Sequence, residues 1–460
     1  MKTTRGGAAF SPAARTLAIV LAGGNGTRLG ELTRWHAKPA LPFAGQYRNI
    51  DFTLSNCVNS GTRRIAVLTQ YKAHSLIQHI RRGWSFLPAE TGEFIEIWPA
   101  QQRRGNAWYG GTADAVYQNL DLIDAHGPEY VLVLAGDHIY KMDYVRMLAA
   151  HAQAGADVTV GCVEVPLAEA SSFGVVEIDT SNRIRRFDEK PKRPQPMQLR
   201  ADCALASMGI YVFNRHLLSD YLTQDAADPV SRHDFGRDIL PRLLAGGTRM
   251  QAHLFRDPAT GRSAYWRDVG TVENYWRAHM DLLADQPRID LNDDTWPIRT
   301  DRPRTPPVRF VGQGQARRSI VSGGCIVGGC LDRSVLSMNC RVMRGAVVES
   351  SVLLPNVEIG AGCLISGAVI GPGCRIPDGS IIGRSLVPGL PFDDTMSSRV
   401  TLVTDEGLAR KTRPVAHLPA GFSADMPHLW AADNTGRGRD FARNDLPIVG
   451  RAGKKSMETG

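Results

Sequence analysis

A six-residue period of aliphatic side chains in the C-terminal third restricts the fold of this 460-residue chain more than any other feature. The repeat positions are Val347, Leu353, Ile359, Ile365 and, after a slip of one residue, Ile370, Ile376 and Ile382. Repeats of this period build a parallel β-helix, in which each aliphatic side chain points into a shared stacked core. The strands of an ordinary β-sandwich do not hold this step for so long. Residues 319–400 are therefore predicted to form a left-handed parallel β-helix of hexapeptide repeats.

A different pattern precedes the repeats, because residues 16–285 alternate short apolar runs, such as Leu17–Leu21, with longer helical patterns. Strands that alternate with helices indicate an α/β domain with a Rossmann-like, mostly parallel sheet covered on both faces. Ligands of such sheets bind beyond the carboxyl ends of the strands. Crowded prolines predict a linker at 286–318. The remaining segments are an N-terminal arm, 1–15, and a C-terminal tail, 401–460, whose composition predicts a poorly ordered end.

Composition excludes several classes of protein. The formal net charge is +8, but the basic residues are spread along the chain rather than gathered in a block, which suits anionic small substrates better than nucleic acid. The sequence contains no stretch of eighteen apolar residues, so it predicts no transmembrane helix. The N-terminal apolar run is short and ends in Gly-Gly, so it does not predict a signal peptide. The eight cysteines form no CxxC or zinc spacing, and we expect them reduced in a cytoplasmic protein.

A glycine-rich loop follows the first predicted strand. Its residues are Gly23, Gly24, Asn25, Gly26, Thr27 and Arg28. Backbone N–H groups in such a loop can cradle phosphate oxygens. The spacing matches neither a P-loop nor the dinucleotide fingerprint. Arg28 and the nearby Lys38 supply cations that phosphate groups would require, although a structural turn with surface cations remains the alternative on these residues alone.

Two aspartates are candidates for a metal site. Asp137 ends the apolar run that begins at Tyr130, so it should lie at the ligand-binding edge of the sheet. Carboxylates placed there commonly hold Mg²⁺, and Asp268, from a distant segment, could chelate the same ion. The alternative for Asp268 is a helix cap or a turn. We interpret His138 as structural, because nothing pairs it with a nucleophile.

Two further segments carry polar groups suited to a sugar phosphate and a base. Lys190 can present a cation to a phosphate while Glu189 accepts hydroxyl groups, although the same residues are typical of an exposed charged run. Gln101 can contact a base edge, and the nearby Tyr109 precedes a Gly-Thr helix start that favours anions. Burial in the core is the alternative for Trp108 and Tyr109.

Seven motifs occur in one order along residues 16–400. They are Gly-Gly-x-Gly-Thr-Arg-Leu, Lys-Pro, Gly-Asp-His-Ile-Tyr, Phe-Gly-Val, Glu-Lys-Pro, Ser-Met-Gly-Ile-Tyr-Val-Phe and Trp-Arg-Asp-Val-Gly-Thr. With the predicted β-helix behind them, the chain resembles the bacterial glucose-1-phosphate adenylyltransferases, a branch of the sugar nucleotidyltransferases. The resemblance implies a nucleotidyltransferase domain at 16–285.

The same resemblance assigns roles to particular residues. It implies that ATP lies against Gly23, Gly24, Gly26, Thr27 and Arg28, with Lys38 and Gln101 assisting. It implies that glucose 1-phosphate lies among Tyr109, Gly174, Glu189, Lys190 and Ser207. It further implies Mg²⁺ at Asp137 and Asp268, with Arg28, Lys38 and Asp137 as the catalytic set.

Assembly and regulation are implied in the same way. Members of the family are homotetramers that respond to metabolite effectors. The enteric type carries a lysine that binds fructose 1,6-bisphosphate where this chain has Trp35. Arg34 and Arg48 are the remaining candidates for an effector site. Because an indole N–H cannot replace an ammonium group opposite a phosphate, we expect fructose 1,6-bisphosphate to activate poorly, and fructose 6-phosphate or pyruvate to activate better.

Three other functions are compatible with this architecture. A bifunctional uridylyltransferase–acetyltransferase would need a general base, normally a histidine, in the β-helix. Residues 301–400 contain no histidine, which argues against this function. A non-catalytic regulatory subunit could lose Arg28, Asp137 or Lys190, and all three are present. Transfer of another nucleotide or to another sugar 1-phosphate remains open.

Overall fold

The computed structural model describes residues 11–24, 26–101, 108–198, 200–383 and 400–405. All of them lie in one unit, Met1–His417. The first part is a helix-flanked sheet and the second is a stack of short parallel strands. In this described part of the chain, no helix has both the length and the hydropathy needed to cross a membrane.

The first part contains thirteen strands and eight α-helices in the described residues. The strands are β1 (Thr16–Leu21), β2 (Pro42–Phe43), β3 (Tyr47–Arg48), β4 (Arg64–Thr69), β5 (Phe94–Pro99), β6 (Tyr130–Ala135), β7 (His138–Tyr140), β8 (Val158–Pro166), β9 (Gly174–Ile178), β10 (Ile184–Glu189), β11 (Cys203–Asn214), β12 (Met250–Leu254) and β13 (Trp266–Asp268). The helices are α1 (Asn49–Asn59), α2 (His74–Gly83), α3 (Thr112–Tyr117), α4 (Leu120–His126), α5 (Tyr144–Gln153), α6 (Arg215–Ala226), α7 (Leu240–Ala245) and α8 (Val272–Asp281).

Short helices of other types complete this part. The 3-10 helices are Pro12–Arg15, Thr27–Thr33, Lys38–Ala40, Ala89–Thr91 and Ala170–Ser172, and a π-helix spans Phe235–Ile239.

The main sheet has nine strands and mixed direction. Strands β5, β4, β1 and β6 run parallel, whereas β11 pairs antiparallel with β6, β8 and β9. The sheet is therefore parallel on the side of the glycine-rich loop and largely antiparallel beyond β6. The strands β1 and β6 are almost wholly buried, because one core cluster packs on each face of the sheet. Their continuous apolar sequences follow from this double-sided burial.

The second part contains fifteen short strands in the described residues. They are β14 (Arg309–Phe310), β15 (Gln315–Arg317), β16 (Ile320–Val321), β17 (Ile326–Val327), β18 (Cys330–Asp332), β19 (Val335–Leu336), β20 (Arg341–Val342), β21 (Val347–Glu349), β22 (Val352–Leu353), β23 (Glu358–Ile359), β24 (Leu364–Ser366), β25 (Ala368–Ile370), β26 (Arg375–Ile376), β27 (Ile381–Gly383) and β28 (Thr401–Val403). They form three five-stranded sheets with parallel pairing throughout. The predicted parallel β-helix is confirmed.

The register of the β-helix corrects one predicted core position. Val348, opposite Ile365, is fully buried in the stacked core, whereas Val347 is only half-buried. From Val348 the inward positions follow steps of five, six and six residues, so each coil takes seventeen residues. The break in the six-residue period is thus the five-residue step that occurs once in each coil. The prediction that Val347 points inward was wrong, because the inward residue is its neighbour Val348.

The β-helix extends beyond its predicted range. Strands β14 and β15 lie inside the segment predicted as a linker, and β28 lies inside the segment predicted as a tail. Residues 1–10 of the predicted arm and 406–460 of the predicted tail lie outside the described residues. All eight cysteines are free thiols, and Cys330 alone among them is not buried.

The two parts share a continuous core. Helix α8 packs against β25, and the indole N–H of Trp276 donates to the carbonyl of Ser350 at 2.7 Å. Val335, Val352 and Val369 of the β-helix belong to the same buried cluster as Tyr275 and Phe43. The β-helix therefore packs against the first part of the chain through helix α8 and this shared cluster.

Candidate active site

The glycine-rich loop and Asp137 meet because their strands are neighbours in the sheet. Leu21 at the end of β1 pairs with Ala135 at the end of β6, and the N–H of Gly136 donates to the carbonyl of Leu21 at 3.0 Å. Gly23 therefore follows one strand and Asp137 follows the next. The described part of the loop is exposed or half-buried at this edge. Its N–H groups are available to an anion.

Thr33 holds the loop in shape. Its hydroxyl donates to the carbonyl of Gly26 at 2.9 Å, and Gly26 has a φ of 60°, in the left-handed region that favours glycine. A Cβ at Gly26 would lie 2.8 Å from Cγ2 of Thr33. The 3-10 helix Thr27–Thr33 then presents Arg28 to solvent. Thr33 was not predicted, because a threonine seven residues downstream carries no motif.

Lys38 lies at the centre of the site. Its Nζ atom lies 2.7 Å from Oδ2 of Asp137 and 2.7 Å from Oδ1 of Asp268. The Lys38 side chain is 8% exposed, and its backbone carbonyl accepts from Nδ2 of Asn49 at 3.0 Å. Nη2 of Arg28 lies 4.0 Å from Oδ2 of Asp268. The structure thus brings together four of the predicted site residues.

A two-stranded sheet places Asp268. Strand β13 pairs antiparallel with β7, and Asp268 lies opposite His138. Because β7 begins immediately after Asp137, this pairing brings the two aspartates to one place. The alternative that Asp268 serves only as a turn residue does not explain its contact with Lys38.

Opposing effects set the charges of this group. Burial alone would raise the pKa of Asp268, but its basic neighbours, with Lys38 the strongest of them, together outweigh burial and lower the pKa to about 2. Burial would lower the pKa of Lys38, but Asp137 and Asp268 together raise it. Asp268 and Lys38 are therefore both charged at neutral pH.

The two carboxylates fit a divalent cation. Oxygens of Asp137 and Asp268 lie at the same distance from one Nζ atom, so they converge on a single position for positive charge. Mg²⁺ is usually held by one or two carboxylates, with the other ligands from substrate phosphates and water. In the residues that the structure describes, no group of three or more His, Cys, Asp or Glu side chains could hold a metal alone. The donor set fits Mg²⁺ shared with a phosphorylated substrate.

His138 lies closer to the site than its structural interpretation implied. Its Nε2 atom is 3.5 Å from Oδ1 of Asp137 and 3.9 Å from Oδ1 of Asp268. Its ring packs edge-on against Trp266, with centroids 5.0 Å apart. Burial lowers the pKa of His138 more than the carboxylates raise it, so the ring is neutral at pH 7.

Glu189 and Lys190 form a second group. Nζ of Lys190 lies 2.6 Å from Oε1 of Glu189 at the end of β10. The other carboxylate oxygen, Oε2, lies where two glycines leave room, since a Cβ at Gly174 would be 2.9 Å from it and a Cβ at Gly236 only 2.5 Å. Gly174 thus makes space for the carboxylate. Gly236 was missed, because it contacts Glu189 across 47 residues and carries no motif.

Ser207 lies on the strand that passes the aspartate group. It is buried in β11, and its Oγ accepts from the N–H of Gly209 at 3.3 Å. A Cβ at Gly209 would be 3.7 Å from Cε1 of His138. The part of β11 that contains Ser207 and Gly209 therefore lies beside His138, next to the aspartate group.

The remaining predicted residues lie on the other side of the loop. Gln101 follows β5 and is exposed, and Tyr109 is half-buried rather than in the core. The N–H of Tyr109 donates to Oε1 of Gln70 at 2.8 Å, and its hydroxyl accepts from Asn119 at 3.0 Å. Trp108 is 58% exposed, which excludes a core position in this chain.

The two effector candidates have different surroundings. The guanidinium of Arg34 lies over the ring of Trp35, 5.4 Å from its centroid, and Trp35 is 71% exposed. Nη1 of Arg48 donates to the carbonyls of Ala40 at 3.1 Å and Ser75 at 3.4 Å. Burial lowers the pKa of Arg48. Arg34 is exposed to solvent, whereas the guanidinium of Arg48 is hydrogen-bonded to backbone carbonyls.

Comparison with known proteins places this site in a family. The nucleotidyl transferase model matches residues 17–285, and a model for a GlmU-like C-terminal hexapeptide domain matches residues 306–394. The chain belongs to the nucleotidyl transferase family.

Several relatives share one described activity. The chain is 58% identical to a glucose-1-phosphate adenylyltransferase of Paramagnetospirillum magneticum over 73% of this chain and 80% of the relative. It is 56% identical to glucose-1-phosphate adenylyltransferase 2 of Alkalilimnicola ehrlichii, with the same coverage. It is 56% identical to the glucose-1-phosphate adenylyltransferase of Methylococcus capsulatus over 71% of this chain and 78% of the relative.

Proposed function

We propose that this protein transfers the adenylyl group of ATP to α-D-glucose 1-phosphate, forming ADP-glucose and diphosphate, the step that supplies the glucosyl donor for glycogen synthesis. The observation that carries the proposal is the convergence of Lys38, Asp137 and Asp268 beside a glycine-rich loop. The names and identities of the relatives support glucose 1-phosphate and ATP as the substrates.

The glycine-rich loop binds the triphosphate. Its described residues are exposed or half-buried at the edge of the sheet, and Arg28 can hold a phosphate with two N–H donors. Gln101 and Tyr109, on the same side, are the groups available to the adenine and the sugars. Thr33 keeps the loop in its binding shape through Gly26.

The second group binds glucose 1-phosphate. Lys190 meets its phosphate, and Glu189 accepts from its hydroxyl groups. Gly174 and Gly236 allow the Glu189 carboxylate to occupy this position, because a Cβ at either residue would collide with Oε2. Binding there aims a phosphate oxygen at the α-phosphorus of ATP.

The reaction is an in-line displacement. A phosphate oxygen of glucose 1-phosphate forms a bond to the α-phosphorus, and the bond from that phosphorus to the bridging oxygen of diphosphate breaks. The attacking oxygen is already ionised, so no general base is required. Lys38 and Arg28 offset charge that develops on the α-phosphate, and the rest of the catalysis is positioning.

Mg²⁺ is the cofactor that the carboxylates suit. Asp137 and Asp268 would hold it, and when bound it would neutralise charge on the phosphates. Lys38 holds the two carboxylates together at the same position.

The proposal extends to assembly, effectors and location. We infer a cytoplasmic homotetramer that responds to small metabolites, with Arg34 and Arg48 as candidate effector contacts. A non-catalytic subunit is a weaker candidate, because this chain keeps the charged residues of both substrate groups. Acetyl transfer lacks support, because residues 301–400 contain no histidine.

Diphosphate release by the purified chain tests the proposal. We expect release with ATP, glucose 1-phosphate and Mg²⁺ together, and ADP-glucose as the co-product. UTP, GTP, CTP and dTTP, and glucose 6-phosphate in place of glucose 1-phosphate, are the controls. Faster release with another nucleotide would change the assigned substrate, and no release with any nucleotide would favour a non-catalytic subunit. Adding a chelator should abolish the rate and excess Mg²⁺ should restore it.

A further inference from the structure

A second cleft is lined by all three residues of β13. Its volume is about 660 Å³, within the range of small-molecule sites. Its walls come from the end of β8, the segment before β11, and the hairpin that follows β12. It shares Asp268 with the candidate active site, but its lining does not include Lys38, Asp137, Glu189, Lys190 or Ser207.

Five arginines line this arginine cleft. They are Arg200, Arg256, Arg262, Arg267 and Arg288. Three carboxylates pair with members of this set: Glu164 lies 2.9 Å from Arg200 and 3.0 Å from Arg256, Asp202 lies 3.2 Å from Arg200, and Asp281 lies 2.8 Å from Arg267. Five guanidinium groups thus face three paired carboxylates.

The other acids of the lining are matched elsewhere. Glu169 lies 3.9 Å from Arg277, which also pairs with Glu273 at 3.0 Å, and Asp268 is held by Lys38. Within the part of the chain that the structure describes, neither Arg262 nor Arg288 has a carboxylate at ion-pair distance. Nη2 of Arg288 donates to the carbonyl of Ser263 at 2.8 Å, which leaves its charge uncompensated. Two of the five guanidinium groups of the cleft therefore have no carboxylate partner.

The cleft has an aromatic wall as well as charge. Arg267 and Arg288 each lie 5.9 Å from the ring centroid of Tyr265. The Tyr265 ring thus contacts two of the five guanidinium groups along this wall.

We propose that the arginine cleft binds a phosphate monoester dianion of about the size of a sugar phosphate, at a position separate from both substrates. A phosphate monoester carries nearly two negative charges at neutral pH and offers three acceptor oxygens, which matches the two guanidinium groups that have no carboxylate partner. Guanidinium groups suit phosphate because they donate two parallel N–H bonds.

This ligand would contact the strand that carries Asp268. Trp266, Arg267 and Asp268 all line the cleft and together form β13, which pairs with β7 beside Asp137. A ligand that orders β13 would therefore change how Asp268 is held. An effect on turnover rests on the proposed function, whereas binding in the cleft does not.

Calorimetric titration of the full-length chain, without nucleotide, tests the proposal. The probes are inorganic phosphate and glycerol 3-phosphate, each titrated against wild type, R262Q and R288Q. These two arginines have no carboxylate partner, so their loss should not disturb the fold, and the melting temperature checks this. We expect each variant to weaken glycerol 3-phosphate binding by at least about tenfold.

The control is R249Q, an equal change of charge at an exposed arginine that pairs with Asp157 outside the cleft. It should bind as wild type does. Equal binding by wild type, R262Q and R288Q, or no binding of either probe, would overturn the proposal. A raised KM for glucose 1-phosphate in R262Q and R288Q would also overturn it, because the cleft would then be part of the substrate site. If the chain binds the probe but releases no diphosphate, binding in the arginine cleft is supported and the proposed function is rejected.

Discussion

Nζ of Lys38 lies 2.7 Å from Oδ1 of Asp268, although 230 residues separate them in the chain. The same ammonium group contacts Asp137 at the end of the central sheet. Lys38 thus joins two segments that the proposed reaction needs at one point. Its charge is also the strongest of those that together lower the pKa of Asp268 to about 2, against the effect of burial.

Asp137→Asn should keep the fold and remove most of the activity. The amide can still accept from Lys38, but one ligand charge is lost, so we expect kcat to fall by at least about a hundredfold. Diphosphate release at saturating Mg²⁺ measures it. Asp124→Asn, at a surface ion pair with Arg215, is the control and should be fully active. A near wild-type rate for Asp137→Asn would contradict the proposal that Asp137 binds Mg²⁺.

Lys190→Gln should separate the two substrates. It removes a cation proposed to bind glucose 1-phosphate, so the KM for that substrate should rise by about tenfold or more, with the KM for ATP unchanged. Steady-state kinetics with each substrate varied in turn measures both constants. Lys192→Gln, an exposed lysine two residues on, is the control. Equal losses for both substrates would refute this role.

Gly236→Ala should act through Glu189. The added Cβ would lie 2.5 Å from Oε2 and 2.8 Å from Cδ of Glu189, so the carboxylate must move. We expect the KM for glucose 1-phosphate to rise about tenfold with little change in melting temperature. Arg237→Ala, an exposed neighbour on the same π-helix, is the matched control. If Gly236→Ala left this KM unchanged, Glu189 would not be held as proposed.

Thr404→Val should weaken ATP binding from the far end of the β-helix. The Thr404 hydroxyl donates to Glu31 on the 3-10 helix that carries Arg28, and Cδ2 of Leu402 lies 3.9 Å from a Cβ position at Gly30. Losing the hydrogen bond should cost about 1 kcal/mol and raise the KM for ATP several-fold, with the KM for glucose 1-phosphate unchanged.

Thr401→Val, on the strand β28 that precedes Thr404, is the control for that change and should behave as wild type. Initial rates with ATP varied at saturating glucose 1-phosphate give the comparison. An unchanged KM for ATP in Thr404→Val would show that β28 does not position the loop.

His279 should make stability depend on pH below neutrality. Its Nδ1–H donates to the carbonyl of Tyr275 at 2.8 Å, and its Nε2 accepts from the N–H of Ala44 at 3.2 Å. Burial lowers its pKa to about 4, whereas the unfolded chain binds the proton near 6.5. Its contribution is therefore complete above pH 6.5 and is lost as the pH falls towards 4.

Urea unfolding at pH 7 and pH 5 checks this. The wild type should lose about 2 kcal/mol from His279 between these values. His279→Gln keeps an acceptor for Ala44 but does not titrate. Between pH 7 and pH 5, the free energy of unfolding of this variant should therefore fall by about 2 kcal/mol less than that of the wild type. The same pH dependence in both proteins would assign it to other groups.

Much of the architecture was accessible from sequence, because the signals are local. The period from Leu353 to Ile382 predicted the β-helix, and the apolar run before Asp137 predicted a buried strand with a carboxylate at its end. The inward residue at the start of that period was not accessible. Val347 and Val348 are chemically alike, and only the shortened corner of each coil decides which one faces the core.

The sequence by itself determined the two-part organisation, the glycine-rich loop and the identities of the charged residues, since periodicity and motif order are properties of the chain alone. Tertiary structure decided that Lys38 sits between Asp137 and Asp268, that Gly236 backs Glu189, and that five arginines share one cleft. Each of these depends on pairing between distant strands or loops, such as β13 with β7. Strand pairing is set by the summed packing of whole sheets, which no short stretch of residues encodes.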